Sequence, residues 1–252
     1  MAGPIIVFAQ QKGGAGKTTL AIQCAVRWKA QGRSVALIDI DPQGSLAAWH
    51  AARRQRLGQD CGFDLAAISG WRVQSEAERL AGEADIVVVD TAPHAEMEAR
   101  AALRVCQMAI IPLQPSPLDV WATRPTLAVA REEKAPTLLV FNRTPARGRL
   151  SQTMREKAAE DLNAPIAEAT LGDRVAFAET IWRGGGVAES RRKSRANEEI
   201  AALTDEIDAR VAAGERFFFG FRPLLNSVSP PAASVVACAI QSSRWMRPRN
   251  FR

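Results

Sequence analysis

The chain has no apolar run approaching the about 18 residues that span a bilayer, and no positive start leading into a long apolar stretch and cleavage site. A membrane-spanning or secreted protein is not expected, and a cytoplasmic one is. It has two histidines, His50 and His94, and four cysteines, Cys24, Cys61, Cys106 and Cys238, which stand far apart without a C-x-x-C pair. That spacing supports neither a metal site nor a disulfide framework, and each cysteine reads as a small core residue. Excess charge is missing from most of the chain. The net charge of +6 falls wholly in the last segment, where Arg216 to Arg252 holds six arginines, no lysine and no acid, so residues 1–215 are balanced. Bulk attraction to nucleic acid is thereby excluded for the body, and any such site must be a local patch. One further absence is local. In "QQKGGAGKTTL" (Gln10–Leu20) the phosphate-loop pattern G-x-x-x-x-G-K-[ST] asks for glycine at position 11, where Gln11 stands beside Lys12.

What is present suits one sizeable core, with 47% hydrophobic residues in 252. "PIIVFA" (Pro4–Ala9) is a continuous apolar run ending at a glycine loop, as expected of a buried parallel strand. "SVALIDID", "DIVVVD" (Asp85–Asp90), "MAIIPL" and "TLLVFN" repeat the signal. Between them lie helical stretches: Leu20 up to a stop at Gly32, Ser45–Arg56, Gln74–Ala81, Ala95–Val105, Leu118–Glu133 and Ser151–Leu162. Strands alternating with helices imply βαβ units: an α/β fold with a mostly parallel twisted sheet covered by helices on both faces. Beyond residue 163 the pattern predicts a short strand near Ile166, a helix from about Arg174 to Trp182, a glycine turn at Gly184–Gly186 and a final helix over Ser194–Val211. Residues 1–213 are expected to form a single domain. Residues 214–252, basic and rich in Phe, Pro and Ser, are expected outside it; a short membrane or polyanion anchor is the alternative for that tail.

A glycine-rich turn between strand and helix presents backbone N–H groups and the positive helix end to phosphates. Gly13, Gly14 and Gly16 supply the turn, Lys17 can reach β- and γ-phosphates, and the Thr18 hydroxyl can ligate Mg²⁺. Asp90, closing "DIVVVD", delivers a carboxylate to the same edge of the sheet.

As an ordered set these segments resemble the ParA-type partition ATPases, within the group that includes the MinD cell-division ATPases, over residues 3 to 212. "KGGAGKTT" (Lys12–Thr19) matches the deviant Walker A pattern K-G-G-x-x-K-[ST], "DIDPQGS" (Asp39–Ser45) the following switch motif, and "DIVVVDTAP" (Asp85–Pro93) the Walker B region. The resemblance implies the deviant Walker A form of the P-loop NTPase fold, with ATP and Mg²⁺ as cofactors and hydrolysis to ADP and phosphate. Lys12, Gly13, Gly14, Ala15, Gly16, Lys17, Thr18 and Thr19 would form the loop, and Asn142 in "FNR" would contact adenine or is an ordinary strand-end residue. Lys12 would reach the phosphates of a partner subunit in an ATP-dependent homodimer, which accounts for a lysine beside the missing glycine. Asp41 would orient the attacking water, or is simply the turn residue before Pro42. Asp39 and Asp90 would stand in the Mg²⁺ environment, through water. Thr91 to Pro93 would form a second switch.

The resemblance further implies non-specific DNA binding by basic residues late in the domain, here Arg174, Arg183, Arg191, Arg192, Lys193 and Arg195. A solvated face for Arg191–Arg195, and ion pairs for Arg174 and Arg183, are the bland alternatives. The implied task is nucleoid-associated: ATP hydrolysis, prompted by a cargo-bound activator such as a ParB-like centromere-binding protein, releases the dimer and segregates a plasmid, a chromosome or a protein cluster. The strand starting near Pro4 leaves no room for a preceding helix-turn-helix, so sequence-specific operator binding is not expected. A MinD-like membrane-positioned regulator is the alternative in another class; Pro223, Pro230, Pro231 and Pro248 oppose a helical anchor, and no stable membrane association is expected. A reductase sharing an iron–sulfur cluster would need two placed cysteines, and only Cys106 follows the second switch.

Overall fold

A computed structural model of the chain describes residues 2–93, 96–147 and 149–214, apart from the side chain of Glu96. The expectation of a separate tail over 214–252 lies, beyond Gly214, outside the described residues. Six strands form one parallel sheet in the order β3-β2-β4-β1-β5-β6. They are β1 (Ile5–Phe8), β2 (Val35–Asp39), β3 (Asp64–Ala67), β4 (Ile86–Asp90), β5 (Met108–Leu113) and β6 (Thr137–Phe141). The helices are α1 (Lys17–Ala30), α2 (Ser45–Leu57), α3 (Val73–Ala81), α4 (Glu96–Val105), α5 (Pro117–Glu132), α6 (Leu150–Leu162), α7 (Val175–Trp182), α8 (Val187–Ser190) and α9 (Arg195–Ala212), with a 3₁₀ turn at Gly70–Arg72.

Strand side chains alternate between two faces, so an all-apolar strand fills two cores at once. Ile6 and Phe8 of β1, Val35 and Leu37 of β2, and Ile86 and Val88 of β4 pack on the side covered by α1, α7, α8 and α9. Ile5, Val7, Ala36, Ile38, Val87 and Val89 pack on the opposite side with α3 and α4. A third cluster joins β5 and β6 to α5 and α6 through Ile111, Leu139, Phe141 and Met154.

Three differences from the expected elements have physical causes. β3, an edge strand bonded only to β2, carries no apolar run because it is half exposed, unlike β6 at the other edge, which is buried. Near Ile166 there is a single bridge to Leu139 in place of a strand. After the glycine turn a short helix, α8, precedes α9, whose start is capped by the Ser194 hydroxyl accepting from Asn197 N–H.

Candidate nucleotide site

The carboxyl ends of β1, β2, β4 and β6 deliver the predicted residues to one edge of the sheet, where ligands bind in open α/β sheets. β2 and β4 pair with Asp39 opposite Asp90, and β1 pairs with β4 with Phe8 opposite Asp90. Register alone therefore puts two carboxylates side by side beneath the loop that follows β1.

Gly16 sits at φ +100°, and a Cβ there would run into the Asn142 amide. Only glycine fits this last residue before α1. Over Gly13 and Gly14 a Cβ would meet no atom, so the space above the loop is open to a ligand. Residues around the loop hold it in place. The buried carboxamide of Gln10 donates to Pro112 O and Thr123 Oγ1, and accepts from Thr126 Oγ1 at 2.8 Å. Gln11 N–H donates to Thr126 Oγ1, so position 11 is tied to α5. Gln114 Nε2 donates to Gly14 O. These partners went unnoticed in the sequence, although Asp119, Thr123 and Thr126 form a buried polar row at helical spacing on α5.

Lys17 opens α1 and is almost fully buried; burial lowers its pKa from the ordinary value, opposed by the charges of Asp90 and Asp41. The Thr18 hydroxyl donates to Asp90 Oδ2 at 2.6 Å. Asp90 is wholly buried, and its other oxygen, Oδ1, has no hydrogen-bond partner. Burial pushes its pKa up to about 7, the Thr18 hydroxyl opposes this, and the Asp39 charge adds to it. Asp39 is buried too. It accepts from Asp41 N–H at 3.0 Å and Ala47 N–H at 2.9 Å, so it caps the start of α2 while facing Asp90; burial raises its pKa despite those bonds. Asp41 accepts from Gln43 N–H at 2.9 Å and its carbonyl accepts from Gly44 N–H, forming the turn before α2. Thr91, after β4, donates to Phe8 O.

Lys12 is held within its own chain, its Nζ 2.5 Å from Asp119 Oδ2, which also accepts from the Ser116 hydroxyl. Asn142 donates to Ala15 O at 2.9 Å and accepts from Arg143 N–H. It thus supports the loop and also lines a cavity of about 510 Å³ with Thr19, Gln114, Arg143 and Phe177.

The residues fit Mg²⁺ and a nucleotide phosphate. An orphaned, buried carboxylate oxygen beside a threonine hydroxyl is an all-oxygen donor set left incomplete, under an open glycine loop. Thr18 and Asp90 would hold the ion, with Asp39 behind them, and the ion when bound would neutralise phosphate charge. The described residues contain no group of three His, Cys, Asp or Glu that could hold a metal unaided.

The predicted basic residues do not act alike. Arg174 is paired with Glu199 through Nε at 2.7 Å and Nη2 at 2.5 Å, and Arg195 lies 3.6 Å from the same carboxylate. Arg191 is 2.8 Å from Glu179. Arg183, Arg192 and Lys193 are exposed and make no ion pair among the described residues.

Comparison with known proteins accords with this geometry. The family model of the CobQ/CobB/MinD/ParA nucleotide binding domain matches residues 6–187. The chain is 28% identical over 209 residues to maintenance of carboxysome distribution protein A of Halothiobacillus neapolitanus, covering 80% of this chain and 95% of that one. The fold is similar to that of an ATP complex of McdA from Cyanothece, with a TM-score of 0.69 and 14% identity, covering 82% of this chain and 97% of the other. It is also similar to MinD from Pyrococcus horikoshii complexed with Mg-ADP, with a TM-score of 0.65 and 17% identity, covering 84% and 98%. The chain belongs to the CobQ/CobB/MinD/ParA nucleotide-binding family and carries that family's P-loop ATPase fold.

Proposed function

We propose that the protein is an ATP-hydrolysing positioning switch that dimerises around ATP, holds DNA without sequence preference and lets go on hydrolysis. The observation that carries the ATPase reading is the buried Asp90, bonded to Thr18 through one oxygen and unpartnered at the other, beneath an open glycine loop. Lys17 would neutralise phosphate charge from within the chain. Lys12 would do so across a dimer, its ammonium breaking from Asp119 and compensating the charge that develops on the partner's phosphoryl group. Asp41 is assigned the attacking water and Asn142 the adenine. Because Asp41 and Asp39 shape the start of α2, a change at the phosphates has a helix to move.

DNA contact is assigned to Arg183, Arg192 and Lys193, whose charge is unspent. Arg174, Arg191 and Arg195 are secondary, since their charge is shared with Glu199 and Glu179. Similarity to a carboxysome-distribution protein supports a protein body as cargo beside a plasmid or chromosome, with a cargo-bound activator in the ParB role. Residence on the nucleoid follows from the same reading.

Separate Lys12→Ala and Lys17→Ala variants test it. Lys17→Ala should abolish ATP binding in isothermal titration. Lys12→Ala should bind ATP yet lose ATP-dependent dimer formation in light scattering, along with phosphate release. Unchanged dimerisation and hydrolysis in Lys12→Ala would refute the trans role. Co-sedimentation with duplex DNA and with anionic vesicles, in ATP and then ADP, tests the task, and ATP-dependent vesicle binding without DNA binding would overturn it.

A further inference from the structure

α7 is an eight-residue helix whose inner side is fixed: Phe177 is in the core, and the Thr180 hydroxyl accepts from the Gln23 amide of α1 at 3.1 Å. Its outer side exposes three apolar side chains around one acid, Glu179. Val175, Ala178 and Trp182 follow one another at three- and four-residue steps and are all exposed, Trp182 at 86%. An indole left in water contributes nothing to the fold. Charge surrounds it. Arg183 is the next residue, and Arg191 reaches back to Glu179, one turn before Trp182, which places the Arg191–Lys193 segment beside this face. Glu179 is the sole acid of α7, and Arg191 neutralises it. Glu189 of α8 is likewise taken up, by Arg53 and Arg56. What this surface offers a partner is an aromatic ring among unspent cations.

We infer that Trp182 is an apolar wedge within the DNA-contacting surface, entering the duplex between base pairs while Arg183, Arg192 and Lys193 hold the phosphates on either side. The inference rests on the proposed DNA binding and adds to it a contact that does not depend on salt. DNA fits because it joins a dense negative backbone to apolar base faces, and proteins that bind it without reading sequence pair cationic contacts with inserted apolar side chains. A lipid surface fits less well, since an interfacial helix needs a longer apolar face than the two exposed turns here. Insertion is easiest at flexible pyrimidine–purine steps, so duplexes rich in TA steps should bind more tightly than A-tracts.

The test is anisotropy of a fluorescein-labelled 24-base-pair duplex with the full chain in ATP and Mg²⁺, at a series of salt concentrations from about 50 to 200 mM. Trp182→Ala should weaken binding by about ten-fold at every salt concentration and leave the slope of log affinity against log salt unchanged. Trp182→Phe should recover most of the loss. Arg192→Ala/Lys193→Ala should flatten the slope by about 1.8 per subunit engaged. Because Trp182 is exposed, melting temperatures should match the parent protein. If the parent binds duplex and Trp182→Ala binds equally well, the wedge is wrong and the DNA reading stands. A parent chain that does not bind duplex would refute both. Should Trp182→Ala instead lose binding to phosphatidylserine vesicles or lose self-association, with DNA affinity intact, the surface serves another partner and the inference is overturned.

Discussion

Arg53 gives the sharpest test of how the site is tied to the rest of the fold. It is a charged residue only 3% exposed, on the α2 helix that begins where the Asp39–Gly44 segment ends. Its Nε donates to Cys61 O at 2.8 Å, Nη1 to Gly184 O at 3.1 Å, and Nη1 and Nη2 to the two oxygens of Glu189 at 3.0 and 2.6 Å. The guanidinium also lies 5.6 Å from the centre of the Trp49 ring and 4.9 Å from that of Phe63. Burial pushes the Glu189 carboxyl up, and Arg53 followed by Arg56 more than offsets it, leaving the group below its usual value. Arg53→Met keeps the apolar stem and removes every one of those donors. Removing one partner of a buried pair costs roughly 3–5 kcal/mol, because the other charge is left behind. Glu189 keeps Arg56 at 3.3 Å and is partly exposed, which sets the expectation at the low end, about 3 kcal/mol.

Urea unfolding should read this as a midpoint about 1 to 1.5 M lower with the slope unchanged. Arg53→Met/Glu189→Leu should regain about 1–2 kcal/mol of the loss, since no carboxylate then remains unpaired. A loss under about 1 kcal/mol, or a double variant less stable than Arg53→Met, would refute the reasoning that the orphaned carboxylate dominates. The same variant bears on function. Trp49 Nε1 donates to Gly185 O, Gln23 Oε1 accepts from Val187 N–H, and Gly184, at φ +64°, packs so closely on the α2 backbone that a Cβ would collide with Arg53. The turn leading to the basic segment is thus gripped by α1 and α2, the two helices that issue from the nucleotide loops.

Two further expectations concern the site. For Asp90 the folded pKa, about 7, lies above the ordinary 3.8, so across that window the folded chain holds a proton that the unfolded chain has released. Nucleotide-free stability should therefore fall as pH rises from about 4 to 7 and level off above; Asp90→Asn should flatten that slope, raise ligand-free stability at pH 7.5 by roughly 2–4 kcal/mol, and abolish stabilisation by Mg-ATP, and a destabilised Asp90→Asn in melts at pH 7.5 would contradict it. Gly16→Ala forces a Cβ into the Asn142 amide at a left-handed φ, and should cost about 1–3 kcal/mol and weaken binding of a fluorescent ATP analogue at least ten-fold; parent-like affinity would mean that the loop tolerates another path.

Much of this was legible in the chain because burial on both faces writes a strand as a plain apolar run. β1, β2, β4, β5 and β6 announce themselves that way, and the acids that close β2 and β4 fall at the sheet's carboxyl edge by construction. β3 does not, because it is left half exposed, whereas β6, the other edge, is buried against α5 and α6 and keeps its apolar run. α1 begins at Lys17, ahead of the apolar spacing that marks it from Leu20, because the turn at Gly16 fixes its start. Asp119 and Gln114 went unseen as supports of the loop, since their bonds to Lys12 and Gly14 cross about a hundred residues of chain.

Charge shows the limit most clearly, and with a measurable consequence. A sequence counts cations, whereas a polyanion responds to the cations that no carboxylate has already engaged. Six basic residues in the late segment would give a DNA-bound dimer a salt slope near about −11 if all met phosphate. Arg174, Arg191 and Arg195 lie against Glu199 and Glu179, which leaves Arg183, Arg192 and Lys193, and a slope nearer about −5. A measured slope close to the larger value would mean that those ion pairs open on DNA. Opening them would free Glu199, whose carboxylate also accepts from Gly172 N–H in the lining of the cavity that Asn142 shares, so on the proposed reading nucleotide affinity should then change with DNA as well.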